Sequence, residues 1–299
     1  PTSPAFIKDE VLCVPTAFCS YSGEALDKKT PLLRSMATLD KQTKRVLALF
    51  GKNPAHVTVN VGTEQEYFLI SEKDYERRQD LIVCGRTLFG APPCKGQELD
   101  EHYFGAIRPT VNSFMKELDD ELWGFAVAAK TKHNEVAPCQ HELAPVFCNA
   151  NRAVDENLLT MEMMKLLASH HGLVCLQHEK PFEGINGSGK HNNWSFGTED
   201  ENLLDPGDTP EANLQFIVFL TCVIEAVDNY QDLLRMSVAS CGNDHRLGAH
   251  EAPPAIISIF LGDELSSIID ALTSGETAAH TLREQLDFGV DVLPNLERD

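Results

Sequence analysis

The chain has 299 residues, 42% of them hydrophobic and 23% charged, which is enough to bury a sizeable core and ordinary for a soluble globular protein. Its 45 acidic and 25 basic side chains leave a net charge of −20, which argues against a nucleic-acid backbone or an anionic membrane as the main partner. Anionic substrates stay open, because a local cluster of metals or arginines can override the global sign. Nine scattered cysteines, odd in number and with no CxxC pair, read as reduced intracellular thiols and not as a disulfide framework or zinc site. No signal peptide is visible at the start. The longest apolar stretch, 214–227, contains Glu225 and runs into Asp228, Asp232 and Arg235, so it reads as a core helix too interrupted to span a membrane. A cytoplasmic setting is the expectation, although any targeting segment would precede residue 1.

In chain order, the spacing of Leu32, Leu33, Met36, Leu39, Val46, Leu47 and Phe50 predicts a helix over 31–50 that stops at Gly51. Residues 57–61 and 66–70 are rich in β-branched and aromatic types and predict one interrupted strand or a strand pair. From 84 to 109, four glycines and three prolines predict a long irregular excursion, a kind of segment that often carries function. Helices are expected over 110–123 and over 152–171, the second ending at Gly172, with a strand at 126–136 between them. Leu173 to His178 reads as a strand. Thr209 and Pro210 are placed as N-cap and first residue of a helix over 210–236. The mixture lacks βαβ regularity, which makes a parallel doubly wound sheet a poor fit and points to the α+β class.

The most informative stretch is 180–195, Lys-Pro-Phe-Glu-Gly-Ile-Asn-Gly-Ser-Gly-Lys-His-Asn-Asn-Trp-Ser. A Gly-rich turn, Asn186 to Gly189, lets backbone approach a ligand closely. If the segment after it is extended, His191, Asn193 and Ser195 share one face and make a polar wall. A glycine-rich hairpin with a solvated face fits the same residues. Glu64 and Glu66, two apart on an expected strand, share a face, which is costly for two carboxylates unless cations sit between them. Glu135 and Glu142 are expected at the end of the 126–136 strand and in the turn after it. Four carboxylates and one imidazole form a hard, oxygen-rich set suited to Mg²⁺ or Mn²⁺. Solvated acidic faces are the competing account of each pair. The loop Cys241 to Pro254 carries Arg246, His250 and Glu251 and reads either as a catalytic loop or as an exposed turn.

Taken together, these segments resemble the large type III form of glutamine synthetase. The matching stretches are Ser3-Pro-Ala-Phe6, Tyr21-Ser-Gly-Glu-Ala-Leu-Asp27 with Lys29-Thr-Pro-Leu-Leu33, Gln65-Glu-Tyr-Phe-Leu69 and Asp100-Glu-His-Tyr-Phe-Gly105. Then follow His133-Asn-Glu-Val-Ala-Pro138, Asn186 through Ser195, His245-Arg-Leu-Gly248 and Glu251-Ala-Pro-Pro-Ala-Ile256. The resemblance runs nearly end to end, and several motifs in order are far more specific than any one.

The resemblance implies an α+β catalytic-domain fold, a curved antiparallel sheet flanked by helices. It also implies ATP-dependent ligation of ammonia to the side-chain carboxylate of glutamate through γ-glutamyl phosphate. By it, Glu66, Glu135 and Glu142 would hold one Mg²⁺ or Mn²⁺, and Glu64 and His191 a second. Asn186 and Gly187 would seat glutamate, and Asn193 and Ser195 would lie toward ATP. Arg246 would stabilise the transferred phosphoryl group, and Glu251 would close the site and accept a proton from ammonium. Other forms carry histidine at the position of Asn193, and type III forms generally carry asparagine at that of His250. Assembly as a homo-oligomer, a dodecamer of stacked hexameric rings, is implied too. The family's N-terminal β-grasp domain and the segment with the remaining glutamate and phosphate-gripping arginines have no counterpart here. Residues 1–299 are therefore expected to be a partial catalytic domain of a longer protein. A non-catalytic assembly part and a ligase using another amine are the competing readings.

Overall fold

The computed structural model describes residues 2–207, 213–241, 259 and 261–275. At its centre lies one long strand, β3 (Thr58–Ser71), after a short hairpin of β1 (Phe6–Lys8) and β2 (Val11–Cys13) and the helix α1 (Lys29–Leu49). The two β-rich runs expected around 57–70 are thus one uninterrupted strand. On one edge β3 pairs with β6 (Cys148–Asn149) and then β5 (Gln140–Pro145); on the other it pairs with β8 (Lys190–Gly197) and then β7 (Leu173–Leu176). Strand β4 (Ala129–Asn134) continues the sheet beyond β5. Every strand pair among the described residues is antiparallel, in keeping with the α+β expectation.

Helices form close to where the apolar periodicity places them at 31–50, 110–123 and 152–171. Two short helices, α2 (Glu72–Tyr75) and α3 (Gln79–Cys84), follow β3. Helix α4 (Pro109–Gly124) starts with proline in its first turn, where no amide partner is needed. The side chain of Asn149 caps α5 (Ala150–Ala168) by accepting from the Asn151 N–H at 3.1 Å. After a turn of 3₁₀ helix the chain leaves through Gly172 at φ +63°, a left-handed position that suits glycine. The expected 210–236 helix is two helices, α6 (Leu214–Asn229) and α7 (Gln231–Val238), broken at Tyr230. The cap of α6 is Asn213, whose Oδ1 accepts from the Phe216 N–H at 3.0 Å; Thr209 and Pro210 lie outside the described residues. Helix α8 (Gly262–Ser274) closes the described part. No helix among the described residues is long and apolar enough to cross a membrane, and none of the nine cysteines forms a disulfide.

Alternation along β3 divides the sheet into two faces. Tyr67 and Leu69 point into the main core with Val111, Phe114, Leu118 and Leu122 of α4 and Leu159, Met163 and Leu167 of α5. Glu64 and Glu66 point the other way, beside a smaller cluster of Phe68, Leu81, Ala137 and Leu176. At the main core's centre Phe114 meets Tyr67 edge-on, with ring centroids 6.1 Å apart. Truncation of fully buried Phe114 in Phe114→Ala is expected to destabilise the protein by about 3–5 kcal/mol, checked by urea unfolding.

Candidate metal and substrate site

Cross-strand register assembles the acidic face. Glu66 lies directly opposite Glu142 of β5, and Glu142 lies opposite His133 of β4. On the other edge Glu64 lies opposite His191 of β8. Paired residues project to the same side of a sheet, and Glu64 and Glu66 share a side by period, so all five face together. Glu135 sits one residue past β4, its N–H donating to the Gln140 carbonyl at 2.9 Å. Glu142 was expected in a turn; it lies instead within β5, because the chain reverses at 135–140 and pairs back at once.

His133, Glu135 and Glu142 each offer a ligand atom within 4.8 Å of the others. His133 Nε2 is 2.7 Å from Glu142 Oε2, and its Nδ1 is 3.7 Å from Glu135 Oε1. The hydrogen bond to the Glu142 carboxylate raises the imidazole to about 9, so it stands as a cation between two buried carboxylates. A hard divalent ion favours such clustered oxygens, and the donor set fits Mg²⁺ or Mn²⁺. Two residues along β3, Glu64 Oε2 contacts His191 Nδ1 at 2.9 Å and forms the second carboxylate–imidazole pair.

The Gly-rich turn closes over this face. Gly189 N–H donates to Glu66 Oε2 at 2.9 Å, and the Gly189 carbonyl accepts from the Glu66 N–H at 3.1 Å. Gly187 presents its carbonyl to the Gln140 side chain at 3.0 Å. Asn186 is buried and paired with Gln97: Gln97 Nε2 donates to Asn186 Oδ1 at 3.0 Å, and the Asn186 N–H donates back to Gln97 Oε1. The 84–109 excursion supplies Gln97 and two further contacts. His102 Nδ1 meets the Glu135 carbonyl at 2.6 Å, and the Tyr103 ring meets that of His133 edge-on at 5.6 Å.

His191, Asn193 and Ser195 do lie on one face of β8, in register with Glu64, Gly62 and Asn60. Asn193 Nδ2 donates to Glu64 Oε1 at 2.9 Å, and Ser195 Oγ donates to Asn202 Oδ1. Asn193 therefore serves the Glu64 carboxylate here. Arg246, His250 and Glu251 lie outside the described residues. His133, Gln140 and Gln97 were not singled out from the sequence. The two-residue period could have found the first two, since His133 precedes Glu135 by two and Gln140 precedes Glu142 by two. For Gln97 no local signal exists.

Comparison with known proteins gives the chain's family. A profile described as the glutamine synthetase catalytic domain matches residues 41–258, and one described as the type III N terminus matches residues 1–35. The chain belongs to the glutamine synthetase family. A glutamine synthetase of Butyrivibrio fibrisolvens is 60% identical over 286 residues, covering 95% of this chain and 41% of that protein. A type-3 glutamine synthetase of Dictyostelium discoideum is 51% identical over 304 residues, covering 100% of this chain and again 41% of the relative. The chain thus spans about two fifths of the length of these glutamine synthetases. A cryo-EM structure of Plasmodium falciparum glutamine synthetase superposes with a TM-score of 0.60 at 17% identity, over 82% of this chain and 49% of that one. At that identity the match speaks for the glutamine synthetase fold.

Two outcomes are expected from the site. Glu142→Gln should weaken Mn²⁺ binding to the full-length protein by at least about 10–100-fold, the loss typical when a metal site loses even a supporting carboxylate. Glu117→Gln, which removes the α4 carboxylate paired with His170 and His171, should not; titration calorimetry reads both. The second outcome concerns His141, which burial pushes down to about 3. Neutral when folded and protonated below its ordinary value of about 6.5 when unfolded, it stabilises fully above that pH. Its contribution is lost as pH falls from about 6.5 toward 3, at up to ~1.4 kcal/mol per pH unit. His141→Gln should flatten this acid limb of urea stability.

Proposed function

We propose that residues 1–299 form part of the catalytic domain of a ligase that joins ammonia to the side-chain carboxylate of glutamate at the expense of ATP. The observation that carries this reading is the lacing of a carboxylate on β3 to the Gly-rich turn: Glu66 accepts from Gly189 within a face that also holds Glu64, Glu142, His133 and His191. Glu66, Glu135 and Glu142 would hold one Mg²⁺ or Mn²⁺, and Glu64 with His191 a second, with His133 beside the first set. Such ions neutralise phosphate charge when bound.

The protein's own groups then have distinct tasks. Asn186 and Gly187 seat glutamate with its side-chain carboxylate toward the metals, and Asn193 and Ser195 border the ATP side. A glutamate carboxylate oxygen attacks the γ-phosphorus of ATP, ADP leaves, and γ-glutamyl phosphate forms. Arg246 carries positive charge to the transferred phosphoryl group. Glu251 attracts ammonium and removes one proton; the ammonia formed attacks the acyl carbon, and phosphate departs. The assembly proposed is a homo-oligomer, a dodecamer of two stacked rings.

Rapid-quench kinetics on the full-length protein tests the reading, because it separates acyl-phosphate formation from ammonia capture. Glu251→Ala should cut amide formation by about 10²–10⁴-fold while ATP binding changes little. Arg246→Ala should slow the phosphoryl step instead. Ammonia capture unchanged in Glu251→Gln would remove the base assignment. Absence of any acyl phosphate in the parent would favour a non-catalytic assembly part, and better use of another amine than ammonia would move the assignment to that amine.

A further inference from the structure

Gln140 is 1% exposed and bonded on every side. Its Nε2 donates to Glu66 Oε2 at 3.1 Å and to the Gly187 carbonyl at 3.0 Å. Its Oε1 accepts from the Ala137 N–H at 3.2 Å, and its backbone carbonyl accepts from Glu135. A primary amide has two N–H donors, and here both are spent, one on each half of the site. We propose that Gln140 is a positioning residue that couples divalent-metal binding at Glu66 to glutamate binding at the Asn186–Gly189 turn, so that each ligand tightens the other. The proposal rests on the ligand assignments of the functional reading above.

The physical reason is the burial of the amide. Because the amide is almost wholly buried, movement of Glu66 away from Gly187 strips one of its two donors of its partner, and leaving a buried donor unpaired is costly. Carboxylate and carbonyl therefore move as one body, and a metal that fixes Glu66 also fixes the carbonyl of Gly187. Gln97 pins the same turn from the opposite side through Asn186, which leaves little freedom elsewhere in the turn to absorb a shift. Gln140 touches neither reacting atom, and its effect is reciprocal between the two ligands.

Equilibrium dialysis of radiolabelled glutamate against the full-length protein, with and without saturating Mn²⁺, measures the coupling directly. In the parent, Mn²⁺ should tighten glutamate by about 5–150-fold, and in Gln140→Glu and Gln140→Met the ratio should fall below about 2-fold. Gln140→Glu keeps an oxygen for the Ala137 N–H and loses both donors, whereas Gln140→Met loses the donors without adding a charge beside Glu66, so a fall in both variants reports the broken link. A purely structural role would lower stability and leave the ratio unchanged, and an unchanged ratio in either variant overturns the proposal. Failure of both variants to assemble would make Gln140 a folding residue and overturn it equally. A parent that binds both ligands without mutual effect overturns the coupling alone, whereas a parent that binds neither Mn²⁺ nor glutamate overturns the functional reading beneath it.

Discussion

Strand β3 has to present two environments with one backbone, and its pairing register is the constraint on which the site depends. Tyr67 and Leu69 enter the α4–α5 core, whereas Glu64 and Glu66 leave it on the opposite face. A slip of one residue would drive two carboxylates into an apolar core and expose the aromatic anchor. A polar pin reinforces the apolar one: buried Gln65 accepts from Asn157 Nδ2 of α5 at 3.1 Å. Because β5 and β8 are both read off β3, the placement of Glu142 and His191 follows from the same register.

Charge is the second constraint. Carboxylates crowded on one face repel unless something positive stands among them. In this structure the counter-charge is the His133 imidazolium between Glu135 and Glu142, while the His191 ring hydrogen-bonds Glu64. On the proposed reading, a divalent cation would bring more positive charge to the same oxygens and so reconcile a net charge of −20 with anionic substrates. The long 84–109 excursion makes sense in this light. It brings Gln97, His102 and Tyr103 back onto the candidate site, against the Gly-rich turn and the His133 cluster.

Much of this was legible in the sequence wherever the signal is periodic. The helices at 29–49, 109–124 and 150–168 lie close to where apolar spacing predicts them, and the extended 190–197 segment shows the expected alternation. The misses share a cause. Two β-rich runs read as interrupted because Gly62 falls between them, yet pairing on both edges carries the strand through. Glu142 read as a turn residue because Pro138 and Cys139 precede it; Cys139 takes the left-handed backbone, and the reversal finishes before the glutamate. The single helix expected over 210–236 is broken at Tyr230, where the apolar pattern continues but the backbone does not.

Residue types and their local spacing by themselves determined that carboxylates come in pairs on one strand face, that a glycine-rich turn precedes a polar strand, and that helices of given length flank them. These properties arise within a few residues of one another, from side-chain period and backbone freedom. Tertiary structure alone decided which elements meet. Glu64 finds His191 across 127 positions, Gln97 finds Asn186 across 89, and Gln140 finds Glu66 across 74. Strand order and register depend on burying Tyr67, Leu69 and Phe114 together against the helices, a packing condition on the whole sheet that no window of sequence contains.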